Sequence, residues 1–412
     1  MPPAHLHQAA GVQPRWEVAD IFRAQGVAYR KTHPLPRSHL KVMRAIERCR
    51  TVSLGGHIQQ CDSCDFQRQA YNSCRNRHCP KCGSLEKARW LEDRKAELLP
   101  VGYFHLVFTL PHELNPLTLS NKKVICDILF KAVSQTLLEF ARTHLGGLLG
   151  FICVLHTWDQ TLRDHFHLHC LIPAGALAFD RSQWIPARKG FLFPVRALSL
   201  VFRGKFLDLL QRACTKDRLR FVGRCAPLDP PKDFHQFTRS LAAKKWVVYA
   251  KRPFSVPDKV LDYLGRYTHR VAISNNRILS LDQDRVTFSY HDRKNDNQLR
   301  SMTLESDEFI RRFLLHVLPD GFMRVRHFGF LANRSKKRNL AQCRELLGIE
   351  PQPQQSRTPK KSARELMLDV TGVDVALCPV CKAGTLIVTG QLQAFHFAGW
   401  RPHSPPTPVD SS

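Results

Sequence analysis

Between His57 and Cys82 the chain places seven cysteines and histidines within 26 residues that are otherwise polar and turn-rich. Such a stretch offers no apolar interior in which thiols could simply be buried. Two Cys-x2-Cys knuckles stand out, Cys61/Cys64 and Cys79/Cys82, with 14 residues between them. Each knuckle can present two thiolates to one ion, and Zn²⁺ takes four such ligands in a tetrahedron at ~2.3 Å. The spacing therefore predicts a structural zinc on Cys61, Cys64, Cys79 and Cys82, with His57, Cys74 and His78 as spare candidates. Four protein ligands leave no open position for substrate, so this zinc would shape the chain rather than react. Arg68, Arg75, Arg77 and Lys81 lie in the same stretch and could meet phosphates. A second half-motif, Cys378-Pro-Val-Cys381, would need partners such as His396 or His403 to hold metal.

The chain has 62 Lys plus Arg against 35 Asp plus Glu, a formal charge of +27. That excess points to a polyanion, nucleic acid before membrane. The longest uncharged apolar stretch, residues 145–155, is far shorter than the ~20 residues a helix needs to cross a bilayer. The first 15 residues lack the apolar core of a signal peptide, so an intracellular protein is expected, and its cysteines are expected to bind metal rather than to form a disulfide framework.

Strands and helices alternate without a strict βαβ rhythm, which predicts an α+β fold. Residues 1–15 read as a loose tail and 16–98 as a helical and zinc-binding unit. Residues 99–345 read as the main domain, with a second unit beginning near Lys244. Residues 346–366 have linker composition, and 367–412 form a small Cys-x2-Cys segment with a tail. Tyr103 to Leu110 reads as a strand, 121–145 as a helix, and 151–158 with 165–172 as two strands a hairpin's length apart. Residues 195–222 read as one basic helix, 257–269 as another, and 271–275, 277–281 and 285–292 as strands.

In the strand around His165, His167 and His169, the histidines alternate with Phe166, Leu168 and Cys170. Side chains alternate across a strand, so the imidazoles share one face and the apolar groups the other. Two or three converging imidazoles make a metal-ligand arrangement, and His156, Asp159 or Gln160 lies within hairpin reach as a further ligand. Imidazole suits Zn and Mn better than Mg. Farther on, Tyr263 and Tyr267 are four residues apart, on one face of a helix. A tyrosine pair of that kind is ordinarily core, but Arg266, His269 and Arg270 are interleaved with it, which suits a phosphate better than a core. A phenol with a pKa near 10 attacks poorly at neutral pH unless a metal polarises the phosphate.

The motifs NSCRNRHCPKC, YFHLVFTLPHEL, His-hydrophobic-His and YLGRYTHRVAISN occur here in that order. From about residue 16 to residue 340 the chain resembles the bacterial rolling-circle insertion-sequence transposases, the two-tyrosine branch of the HUH single-strand endonucleases. The segment FGFLANRSKKR also looks like the end of that family's catalytic domain. The resemblance implies an antiparallel sheet flanked by helices, with the histidine strand central. It implies a divalent ion, Mg²⁺ or Mn²⁺, on His167 and His169, with Gln160 as the third ligand. His165 stands where that family has a proline-like residue, which leaves its role open. Tyr263 and Tyr267 would be the nucleophiles, each leaving a 3′-OH and a 5′-phosphotyrosine link. Arg266, Arg270, Arg324, Arg326, Arg334, Lys336, Lys337 and Arg338 would grip single-stranded element ends and target DNA. The implied location is the bacterial cytoplasm, at the nucleoid, with no membrane partner; nothing in the sequence sets the oligomeric state. Two other readings share these residues: a transposase-derived DNA-binding protein without activity, and a replication initiator or relaxase. The zinc stretch and the lack of a helicase-like P-loop favour the transposase.

Overall fold

The computed structural model describes residues 15–95, 97–254, 260, 265, 271–292, 295–349 and 361–395. Two helices open it, α1 (Val18–Thr32) and α2 (Arg37–Arg48). The knuckle region follows, with strands β1 (Gly56–Cys61) and β2 (Gln67–Tyr71) and then α3 (Gly83–Lys95). Next come β3 (Tyr103–Thr109), α4 (Asn115–Ser120), α5 (Lys122–His144) and a short β4 (Gly147–Leu148). The hairpin β5 (Gly150–Trp158) and β6 (Asp164–Pro173) is followed by β7 (Gly175–Ala178) and β8 (Trp184–Pro186). Helices α6 (Val195–Cys214) and α7 (Pro231–Ala243) lead to β9 (Val248–Phe254). The remainder is β10 (Ile278–Asp282), β11 (Arg285–Asp292), β12 (Gln298–Glu305), α8 (Ser306–Leu315), β13 (Val325–Gly329), α9 (Lys336–Leu346), α10 (Ala363–Thr371) and β14 (Leu386–Leu392).

The centre is a five-stranded antiparallel sheet in the order β13-β5-β6-β3-β9, so the histidine strand β6 is its middle member. Period-2 alternation divides its residues between two faces. On one face Phe104, Leu106, Phe108, Phe151, Leu155, Phe166, Leu168 and Ile172 are buried against α5, α6 and α7. Helix α5 supplies Ile125, Leu129, Val133 and Leu137 at helical spacing, and α6 supplies Leu198, Phe202, Phe206 and Leu210. The α+β expectation is met. No unit begins at Lys244, because β9 pairs with β3 and completes this sheet. The basic helix ends at Cys214, and α7, opened by Pro231 in its first turn, is a separate helix.

The first two helices do not stand alone with the knuckles. Val18, Ile21 and Phe22 of α1 and Met43 and Ile46 of α2 share a core with Phe288 of β11 and with Phe309, Ile310 and Phe313 of α8. The sheet behind that core is β10-β11-β12. The predicted strand 271–275 is absent there, with β12 in its place. The chain's last described strand also returns to the start: β14 pairs with β1 in a three-stranded sheet ordered β14-β1-β2. The Cys378/Cys381 segment is therefore built into the N-terminal unit.

Candidate metal centres and nucleic-acid interface

The second face of the central sheet carries the chemistry. His156 of β5 stands directly opposite His167 of β6, and Val107 of β3 opposite His169. As a result, one ligand nitrogen from each of His156, His167 and His169 comes within 4.8 Å of the others. Hydrogen bonds fix how these rings present themselves. His167 Nδ1 lies 2.8 Å from the carbonyl oxygen of His165, so Nδ1 donates and Nε2 keeps its lone pair. His167 Nε2 and His169 Nε2 face each other at 3.1 Å. His169 Nδ1 is 2.9 Å from Nε2 of His105, which is 2% exposed. Burial, with Lys251 nearby, pulls the His105 pKa down to about 3. A neutral His105 can accept the Nδ1 proton of His169, which turns the His169 Nε2 lone pair toward His167. Two Nε2 lone pairs pointed at one spot repel each other unless a proton or a cation lies between them. The donor set therefore fits a divalent ion, with outer partners of the kind that orient metal-bound imidazoles.

Gln160 sits at the hairpin tip beyond the last strand pair, Trp158–Asp164, and its backbone carbonyl accepts from Arg277 Nη2 at 2.6 Å. The register that sets His156 across from His167 supplies a third imidazole. Asp159 is occupied as well: its Oδ1 accepts from the backbone N–H groups of Thr161 and Arg163, which closes the turn. His165 lends its carbonyl to the site, and its ring lies 4.7 Å from that of His167. His105 went unpredicted, although its odd position in a strand beginning at Tyr103 was the available signal.

Tyr263, Tyr267, Arg266 and Arg270 lie outside the described residues. Two residues bracketing Tyr263 are described. Val260 is fully buried in one cluster with Tyr103 and Leu171, and Leu171 is two residues from His169 on the same face. A Cβ on Gly265 would stand 2.8 Å from a Leu91 methyl and 2.9 Å from the Lys87 side chain, so α3 lies hard against it.

The knuckle cysteines pair differently from the predicted set. Cys79 and Cys82 converge with Cys49 and Cys74, and Cys61 and Cys64 converge with Cys378 and Cys381. In the first cluster Cys82 Sγ lies 3.5 Å from Cys49 Sγ and 3.6 Å from Cys74 Sγ. Hydrogen bonds from Cys49, Cys74 and Cys79 hold the Cys82 thiol far below its ordinary range, while the same crowd pushes Cys79 far above it. Cys49 is also held below its ordinary range and Cys74 above it, so the four thiols resist ionising together, and a divalent cation is what would let all four do so. Cys49, at the end of α2, was missed because it stands alone in the sequence, with no knuckle around it. His78 joins neither cysteine cluster; it is buried beside Arg77 and Arg324, and that burial pulls its pKa to about 3.

The predicted cationic residues divide. Arg326 is turned to the apolar face, 2.5 Å from Asp127 and with its guanidinium 4.1 Å over the Phe130 ring. Lys336 is held by Glu97. Burial and Arg77 lower the Arg324 pKa to about 10. All three are half-buried, and Arg326 and Lys336 are ion-paired within the chain. Arg334, Lys337 and Arg338 are exposed. Among the knuckle-region bases, Arg77 donates to the Phe322 and Pro319 carbonyls and Lys81 pairs with Glu17. A basic surface lies on α2, where Arg37, Lys41, Arg44 and Arg48 line a groove of about 620 Å³ beside Cys74. No helix among the described residues is long and apolar enough to cross a membrane.

Known proteins resemble this chain along most of its length. Residues 150–339 match a family described as "Putative transposase", and residues 21–110 match a "Transposase zinc-binding domain". The chain is 48% identical to "Putative transposase y4qJ" of Sinorhizobium fredii over 90% of its own length and 94% of that protein's. It is 28% identical to the "Transposase for insertion sequence element IS801" of Pseudomonas savastanoi pv. phaseolicola, over 81% of this chain and 80% of that one. No solved structure matches it.

Proposed function

The chain belongs to the insertion-sequence transposase family, and we propose that it cuts and rejoins single-stranded DNA at element ends through tyrosine–DNA links. The observation that carries this reading is the convergence of His156, His167 and His169 on the sheet face that also buries Val260, three residues before Tyr263.

In the proposed reaction the phenolic oxygen of Tyr263 or Tyr267 attacks the scissile phosphorus. The bond from phosphorus to the 3′-oxygen breaks, and that oxygen leaves as a 3′-OH, taking up a proton equivalent to the one the phenol loses. The phosphodiester becomes a 5′-phosphotyrosine ester, so its energy is conserved and a second 3′-OH can reverse the step without ATP. A Mg²⁺ or Mn²⁺ ion on the three imidazoles would supply positive charge at the scissile phosphate. The chain's own contribution is orientation: the His165 carbonyl and His105 fix the tautomers and ring planes of His167 and His169. Two tyrosines allow one strand to stay attached while the other is cut.

Single-stranded DNA needs cationic tracks along its backbone. The α2 groove and the exposed Arg334, Lys337 and Arg338 are suited to that role. A structural zinc on Cys49, Cys74, Cys79 and Cys82 would hold the groove's wall, since Cys74 lines it.

A labelled oligonucleotide carrying an element end tests the reading. With Mn²⁺ or Mg²⁺ the protein should form an SDS-resistant adduct, abolished in the double variant Tyr263→Phe/Tyr267→Phe. Binding without adduct under both metals would leave a DNA-binding protein and remove the enzyme. An adduct surviving in the double variant would remove these nucleophiles.

A further inference from the structure

We propose that Cys61, Cys64, Cys378 and Cys381 hold a second structural zinc, which clasps the end of the chain onto its beginning as a ribbon assembled from two distant halves. The zinc-binding domain match ends at residue 110, so it contains only two of these four ligands.

The sulfur geometry is that of a metal site. All four sulfurs lie within 4.8 Å of one another. Cys61 Sγ is 3.7 Å from Cys381 Sγ, and Cys64 Sγ is 3.7 Å from Cys378 Sγ. Four sulfurs at ~2.3 Å from one tetrahedral ion stand ~3.8 Å apart, whereas a disulfide would bring a pair to ~2.05 Å. In each knuckle one sulfur accepts from a backbone N–H a few residues on. Ser63 N donates to Cys61 Sγ at 3.4 Å, and Gly384 N donates to Cys381 Sγ at 3.3 Å.

The surrounding backbone is built to bring the two halves together. Strand β14 pairs with β1 from Gly56↔Leu392 to Cys61↔Leu386, which delivers one knuckle beside the other. Asp62 seals the junction, accepting from Thr385 N at 2.8 Å through Oδ1 and donating its own N–H to the Thr385 carbonyl at 3.1 Å. Gly384 passes so close that a Cβ there would lie 2.4 Å from Cys61 Sγ. A glycine is needed because the backbone runs directly over the sulfur. Without an ion, four sulfurs this close would leave the junction only weak S–H contacts; with one, all four become ligands.

The clasp reaches beyond the ribbon. Helix α10, between the ribbon and the body, packs on α3, and α3 is the helix that presses on Gly265.

Metal content of the purified full-length chain decides the question. After dialysis against a weak chelator that strips imidazole-bound ions, the wild type should retain two zinc ions per chain. Reconstituted with Co²⁺, it should show the thiolate-to-cobalt absorption of two tetrahedral four-sulfur sites. Cys378→Ser/Cys381→Ser should lose one ion and half that absorption, while Cys49→Ser/Cys74→Ser should lose the other. Gly384→Val, which keeps every cysteine, should weaken retention of one ion by at least tenfold. One thiolate-bound ion in the wild type, or two in Cys378→Ser/Cys381→Ser, would overturn the clasp. Neither result bears on adduct formation, so this proposal and the proposed strand transfer fail separately.

Discussion

The two faces of the central sheet are drawn from the same strands, one residue out of step, and they do opposite work. On β6 the residues Phe166, Leu168, Cys170 and Ile172 are fully buried against helices, whereas His167 and His169 between them face a cluster of imidazoles. Burial of the first set removes apolar area from water and anchors the strand. The second set gives up that gain, because an imidazole packed among imidazoles contributes little hydrophobic energy. The apolar face therefore supplies the rigidity on which the histidine geometry depends. A single strand can be both scaffold and ligand because its side-chain period is two.

The sharpest way to separate the faces is to remove one ligand. His169→Ala should lower metal-dependent adduct formation about a thousandfold, the several kcal/mol that a lost metal contact implies. Its unfolding midpoint in urea should shift by no more than about 1 kcal/mol in free energy. Leu168→Ala, one residue away, should do the reverse. It should cost about 2–5 kcal/mol of stability, with activity per folded molecule retained. Equal stability losses in the two variants would erase the distinction between the faces.

A smaller effect tests the outer partner. His105→Phe keeps the ring volume and removes the acceptor for His169 Nδ1. It should weaken Mn²⁺ affinity about 10- to 100-fold, read by titration calorimetry, without unfolding the protein. An unchanged affinity would show that His105 is only packing.

The smallest expected effect concerns a histidine used as core. His316 is 3% exposed, with Nε2 3.1 Å from the Leu162 carbonyl and its ring 5.8 Å from Trp158. Burial holds its pKa down at about 4, against an ordinary value of 6.5. The folded state stays neutral while the unfolded chain takes up a proton, so stability is full above pH 6.5 and falls as the pH drops toward 4. The slope from this one group is about 1.4 kcal/mol per pH unit. Urea unfolding of His316→Gln between pH 7 and 5 should show a slope reduced by about that amount. An unchanged slope would place the acid sensitivity elsewhere.

How much of this was legible in the sequence follows from what each pattern encodes. Strict alternation around His167 fixes which side chains share a face, and the structure agrees. Which residue joins them is set by cross-strand register: of the three candidates within hairpin reach, His156 is the one that stands opposite His167. The knuckles were legible as knuckles, because Cys-x2-Cys is a local turn. Their partnership was not, since four ligands can come from any two knuckles or from a lone Cys49. Strand β12 escaped notice because only Met302 and Leu304 of QLRSMTLE turn inward, an alternation too short to mark a strand. The cationic residues misled in another way: charge alone does not distinguish an arginine stacked over Phe130 from one that faces solvent.

The pairing of β14 with β1 also has a consequence for how the protein comes into being. Cys61 and Cys381 are 320 positions apart. At ~5–20 residues per second, translation takes about 15 to 60 s to cover that distance. Throughout that interval β1 has β2 on one side and an open row of amide and carbonyl groups on the other. An open strand edge of this kind recruits other strands, including those of neighbouring nascent chains. The sheet begun by β1 is thus completed only after about 300 further residues have been made, and a ribosome that stops before β14 releases a chain whose β1 edge is still open.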